Sequence, residues 1–114
     1  MGIKIYKTKV NLEEVKTIAQ SVFGDMAKGV IDVRRKVLAL GGELHADAEA
    51  VLLKDGSVQE DLWGFNIYPG RSKDDRIEYT SLINIRPKQG NLQTEVKDEG
   101  IRRQIKSVVD NLVD

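Results

Sequence analysis

The one histidine of the chain, His45, stands in the phrase GGELHADAE, flanked by Glu43 on one side and Asp47 on the other. Histidine alone has an unperturbed pKa near neutrality, so it is the natural proton carrier or metal ligand of this sequence. If the segment is extended, Glu43, His45 and Asp47 point to one side; if it is helical, His45 and Glu49 are neighbours one turn apart. Either arrangement could hold a divalent cation or orient a general base, with Asp32 from the preceding segment as a further carboxylate. The plainer reading is that the acids favour a helix first turn, where the macrodipole welcomes negative charge, and that His45 hydrogen-bonds a neighbouring carboxylate. A lone histidine in a chain without cysteine is a poor zinc set, and the sequence assigns neither metal nor cofactor.

A second set comprises Asn66, Tyr68, Glu78, Thr80, Asn84 and Arg86. These residues share the polar face of an expected β-hairpin, with Leu62 and Leu82 as an apolar centre. One face of an antiparallel sheet is often simply solvated. The functional reading is an open sheet surface that binds a ligand or a second copy of the chain, since an apolar centre with a polar rim suits an interface.

The third set is the basic loop RPKQGN, from Arg86 to Asn91, which with Arg34-Arg35-Lys36 and Arg102-Arg103 could form a phosphate-binding surface. Acids flank each cluster and aromatics for base stacking are few, so nucleic acid is the weaker alternative, with salt-sensitive binding driven by charge alone. The Gly41-Gly42 break is expected to bring His45 to the sheet edge near the Asn84-to-Asn91 segment, where Arg86 and Asn91 would share a small polar cleft with it. Ser57, Ser72 and Ser81 lie in no G-x-S-x-G context, and no P-loop or G-x-G-x-x-G is present.

The elements that must position these groups can be read from periodicity. A first helix is expected from about Leu12 to Phe23, with Asn11 as N-cap, Glu14 completing a capping-box-like pair, and Leu12, Val15, Ile18, Ala19 and Val22 on one face. Residues 29–41 are dense in β-branched side chains around Arg34-Arg35-Lys36, which predicts two short strands joined by a basic turn; one helix continuing from Met26 is the rival. The alanine- and leucine-rich segment after Gly42 predicts a helix ending at Asp55-Gly56. It starts either with His45 in its first turn or with Asp47 as its N-cap.

Residues 61–68 and 77–86 both alternate, which predicts an antiparallel pair around the loop PGRSKDD. Odd positions should face odd ones, for example Phe65 near Tyr79 or Ser81. A last helix is expected from about Glu99 to Leu112, capped by Asp98, with Ile101, Ile105, Val108, Val109 and Leu112 as its buried stripe. The expectation is an α+β fold in α-ββ-α-ββ-α order: a four-stranded, mainly antiparallel sheet with helices packed on one face, forming a single domain over residues 1–114.

Composition bounds the remaining classes. The 114 residues carry 18 basic and 18 acidic side chains and no cysteine. That size supports one unstapled core, and the cysteine-free composition excludes a disulfide scaffold, a thiol nucleophile and a cysteine-bound metal. A formal net charge of zero argues against a general polyanion binder. The N-terminal residues lack a signal-peptide core, no apolar run of about 18 residues occurs, and Tyr6 stands where a myristoylation motif wants Ser or Thr. A cytoplasmic chain without membrane contact is expected.

The phrases GGELHADAEAVLLKDGS, DLWGFNIYP and SLINIRPKQGN together resemble a family of short bacterial and archaeal proteins catalogued only as a domain of unknown function. The resemblance covers nearly the whole chain. It implies no activity and transfers no catalytic residue; it implies only that His45, Asp47, Trp63, Asn66, Tyr68, Asn84, Arg86 and Asn91 belong to the family's characteristic phrases. The functional expectation is therefore a small module that self-associates as a homodimer or binds an unidentified small ligand or partner. The alternative is a small enzyme or metal-binding protein built on Glu43, His45, Asp47 and Arg86.

Overall fold

The computed structural model describes residues 2–114. The elements run β1 (Lys4–Tyr6), α1 (Leu12–Val22), β2 (Ala27–Asp32), β3 (Val37–Leu40), α2 (His45–Lys54), β4 (Leu62–Ile67), β5 (Ile77–Glu78) and α3 (Glu99–Leu112). The fold is α+β. The sheet has five strands rather than four, in the order β1-β3-β2-β4-β5, and every neighbouring pair is antiparallel. The additional strand is β1, in which Ile5 faces Ala39 and Tyr6 faces Leu38.

The helices cover both faces, not one. Val15, Ile18 and Ala19 of α1 and Ile105, Val108 and Val109 of α3 pack with Ile31, Leu38, Trp63 and Phe65 in one core. Ala48 and Leu52 of α2 pack with Val30, Val37, Ala39 and Leu62 in a second core on the opposite face. Topology explains this. The connections β1-α1-β2 and β3-α2-β4 each skip one strand in the same lateral direction, but their strands run in opposite senses. Crossovers of one hand must then place α1 and α2 on opposite faces.

Local chemistry sets the ends of the elements. The Asn11 carboxamide accepts from Glu13 N at 2.6 Å and caps α1, and Gly24 follows the helix in the left-handed region at φ 97°. Glu14 does not close a capping box; it turns instead to Tyr6 and Lys4 on β1. The residue 33–36 turn joins β2 and β3 as a hairpin, so the helical rival is excluded. Asp32, fully buried, builds that turn: Oδ1 accepts from the N–H groups of Arg34 and Arg35, and Oδ2 accepts from Ser57 Oγ. α2 starts at His45, the first of the two expected starts. α3 matches its expected bounds, with Asp98 Oδ1 accepting from Ile101 N at 3.0 Å.

The second hairpin departs most from the sequence reading. Asn66 pairs with Glu78 and Ile67 with Ile77, so odd positions do face odd ones, but the ladder stops there. From Tyr79 the chain pairs with residues 94–96 instead: Ser81 N donates to Thr94 O, Val96 N to Tyr79 O, and Thr80 bridges Glu95. Residues 80–94 then fold back across the polar face of β4 through short 3-10 turns at Leu82–Asn84 and Pro87–Gln89. Glycine makes this approach fit, since a Cβ on Gly64 would lie 2.5 Å from Ser81 Cβ. The polar face is therefore covered rather than solvated, and Leu62 belongs to the second core instead of an exposed apolar centre.

Candidate functional site

Three of the sequence candidates hold residues 80–97 in place. Asn84 is fully buried and bonds both backbone groups of Gly64 and the Thr94 carbonyl. The two N–H groups of Asn91 Nδ2 are shared among the carbonyls of Asn84, Gln93 and Glu95, all within hydrogen-bond distance, while its Oδ1 accepts from Lys97 N. Arg86 bridges Asn91 through the backbone and sends its guanidinium to Glu49 at 3.2 Å, Gln59 O at 2.6 Å and Ile83 O at 3.1 Å. The same guanidinium sits 5.0 Å from the centre of the Trp63 ring. Burial disfavours its charge while Glu49 and Glu60 favour it, and an arginine in such company stays a cation. These groups have spent their hydrogen bonds on the fold.

His45 is turned away from the acids beside it. It is buried, whereas Glu43 and Asp47 are exposed and border a depression with Phe23 and Leu44. Among the described residues no group of three or more His, Asp or Glu side chains is placed to hold a metal ion. Asp32 is committed to its turn. The expected cleft shared by His45, Arg86 and Asn91 is also divided. His45 lines one cavity and Arg86 another, with Leu82 and Ile83 common to both walls. The fold-back of residues 80–94 puts this ridge between them. Tyr68 lies apart again, in a depression beside α1, with Arg71 stacked 3.7 Å from its ring centre.

The cavity beside His45 measures about 420 Å³ and is walled by Lys28, His45, Asn66, Thr80 and Thr94, with Leu44 and Leu82 at its rim. Each polar member has a structural reason to be there. Lys28, Asn66 and Glu78 are register partners across β2, β4 and β5, so they form one row on the α2 face. Thr80 and Thr94 arrive with the segment that folds back. His45 is the first residue of α2, and its Nε2 lies 2.9 Å from the Phe65 carbonyl. A carbonyl only accepts, so Nε2 carries the proton and Nδ1 is left as an acceptor in the neutral ring. Burial holds His45 below its ordinary pKa of 6.5, with the Lys28 charge helping and the Phe65 carbonyl and Asn66 side chain opposing.

Asn66 is the anomaly of this wall. It is only 7% exposed, and its Nδ2 donates to Glu78 Oε1 at 2.8 Å. The carboxylate fixes the amide orientation, because the carbonyl end cannot face another acceptor. Asn66 Oδ1 is then buried with no protein donor. Buried polar atoms are nearly always paired, and an orphan carries a desolvation cost.

The comparison with known families bears on these residues. A profile described as protein of unknown function (DUF5674) matches residues 4–112. The chain belongs to that family. The DUF5674 match spans every element from β1 to α3, so the fold and both cavities lie inside the family domain. No curated protein and no solved structure matches the chain.

Lys28 and Thr94 were absent from the candidates drawn from sequence. Only the β2–β4 register could have added Lys28, and only the fold-back could have added Thr94. Among the basic clusters, Arg34 pairs with Asp61, Arg35 with Asp55, Arg86 with Glu49 and Arg102 with Glu95. Much of the expected phosphate-binding surface is thereby neutralised within the chain.

Proposed function

We propose that this DUF5674 chain is a binding module for a small molecule that offers an N–H or O–H donor and an apolar body. The observation that carries the reading is the buried, unpartnered Oδ1 of Asn66, a residue that walls the 420 Å³ cavity together with His45, whose charged form burial disfavours. Both groups are acceptors, so a donor is the complement they lack. Leu44 is 58% and Leu82 78% exposed at the rim, which suits an apolar ligand body. A bound donor would satisfy the orphan and recover its desolvation cost, about 1–3 kcal/mol.

The test is a thermal-shift screen of small amines, amides and alcohols against wild type and Asn66→Leu. Ligands of this site raise the wild-type melting temperature and lose that effect in the variant. A screen in which every stabilising compound acts equally on both proteins defeats the reading.

A second reading, self-association, draws on Leu82 at 78%, Leu92 at 71% and Ile85 at 45% exposure, all carried by the segment that covers β4. Sedimentation that finds only monomer at high micromolar concentration removes it.

A further inference from the structure

On the other face of the sheet, a cavity of about 670 Å³ opens between the β2–β3 turn and the outer side of α3. Its charged members are Lys36 from the turn and Arg103 from the helix, and no acidic residue lines it. Ser107, Gln104 and Asn111 add hydrogen-bonding groups, while Val33, Val108 and Leu112 supply apolar wall. Most other arginines of the basic clusters are matched to carboxylates. Lys36 and Arg103 pair with none among the described residues.

The backbone supplies an independent sign. Lys36 is the one non-glycine residue with positive φ among the described residues, at 60°. It ends the hairpin turn, where Lys36 N donates to Asp32 O at 2.9 Å. The five other positive-φ positions of the described residues are all glycine. A left-handed conformation is unfavourable for a residue with a Cβ and free for glycine. A lysine that carries this local strain supports a use for its side chain.

We infer that this cavity is a binding site for a small organic anion, a phosphate monoester or carboxylate with an apolar body. Lys36 and Arg103 would take the anionic group from opposite walls, because each is a cation without an internal partner. Ser107 and the amide side chains would donate to its remaining oxygens, and the valine and leucine wall would hold the body. The size lies within the usual range for metabolite pockets. The inference does not depend on the Asn66 site, which lies on the opposite face.

The experiment titrates phenyl phosphate into the ¹⁵N-labelled full chain at about 150 mM salt, with benzoate, inorganic phosphate and benzyl alcohol as parallel probes. The expected result is saturable amide shifts clustered at residues 33–37 and 103–112, with phenyl phosphate or benzoate binding at least about tenfold more tightly than either inorganic phosphate or benzyl alcohol. Which of the two organic anions is tighter distinguishes a phosphate from a carboxylate ligand. Lys36→Gly and Arg103→Gln should each weaken binding at least about tenfold. Lys36→Gly should fold at least as well as wild type, because glycine suits the turn. Binding unchanged in both variants, equal binding of benzyl alcohol, or no saturable shift with either organic anion overturns the proposal. Tighter binding of a single-stranded oligonucleotide than of either organic anion also overturns it, in favour of a nucleic-acid surface.

Discussion

The carboxamide of Asn84 bonds both backbone groups of Gly64: Oδ1 accepts from the Gly64 N–H at 2.8 Å and Nδ2 donates to the Gly64 carbonyl at 3.0 Å. One side chain thus stands in for the strand residue that β5 fails to provide, on the edge of β4. Asn84→Ala strands buried backbone groups on Gly64 and frees the covering segment. The expected loss is about 3 kcal/mol, since each unpaired buried group costs about 1–3 kcal/mol. Urea denaturation of the variant measures it, and a change below about 1 kcal/mol would mean that water replaces the side chain at no cost.

Gly64→Ala attacks the same junction from the other side. The added methyl would lie 2.5 Å from Ser81 Cβ and 2.6 Å from Ser81 Oγ, in a segment pinned by backbone bonds. Overpacking of this kind costs about 1–3 kcal/mol. Hydrogen exchange should quicken at residues 80–84 before it quickens in β2 and β3. Uniform quickening through the whole sheet would contradict a local cause.

Glu49 and Arg86 form an ion pair at 3.2 Å with side chains 13% and 9% exposed. Removing one partner leaves the other charge buried, a change that costs about 3–5 kcal/mol in fully buried pairs. Glu49→Gln should fall at or below the low end of that range, because Gln59 O and Ile83 O still accept from the guanidinium. A double variant with Arg86→Met should recover part of the loss. A double variant no better than the sum of its parts removes the coupling between Glu49 and Arg86.

His45 makes stability depend on pH in a predictable sense. Its folded pKa lies below the ordinary 6.5, so the unfolded chain takes up the proton first as pH falls. The stabilisation is complete above about pH 6.5 and declines as pH falls towards the folded value. The carboxyl groups of Glu14, Asp55 and Glu95 are each held below their ordinary values, first of all by hydrogen bonds from Tyr6, Arg35 and Lys97 respectively. Denaturation at about pH 7.5 and about pH 5.5 should show a loss in wild type that is smaller in His45→Gln, whose amide can still donate to Phe65 O. An equal loss in both proteins assigns the pH dependence elsewhere.

The sequence disclosed most where a local signal decides the structure. Asp98 and the stripe from Ile101 to Leu112 define α3 without help from the rest of the chain. The β-branched residues around Arg34-Arg35-Lys36 likewise announce a hairpin. The alternation of Ile77, Tyr79, Ile83 and Ile85 was equally clear, yet only Ile77–Glu78 forms a strand. Period two says which residues share a face, not which neighbour they pair with, and Tyr79 finds residue 96 instead of β4. The three-residue strand β1 left only the faint alternation of Ile3 and Ile5 with Lys4 and Tyr6. The division of helices between two faces follows from strand order, which no single segment encodes. His45 was legible by its chemistry, and Asn66 by its place on the polar face. Their joining through Lys28 and Thr94 depends on register and on the fold-back.

Asn66→Leu separates a binding role from a structural one. The substitution removes the orphaned acceptor, costs an exposed Glu78 its donor and takes away the Asn66 side chain that favours the charged form of His45. Stability should hold or rise by about 1 kcal/mol, the sign expected when a binding site carries an unpaired polar group in the free protein. A loss above about 2 kcal/mol in urea denaturation would make Asn66 a structural residue.

The most direct measurement is a two-dimensional NMR titration of the ¹⁵N-labelled protein with benzylamine and benzamide, run on wild type and on Asn66→Leu. Saturable shifts are expected at Lys28, His45, the Asn66 side-chain amide, Thr80 and Thr94 in wild type, with the backbone shifts lost in the variant. Shifts elsewhere only, or the same backbone shifts in both proteins, would contradict a ligand site at Asn66.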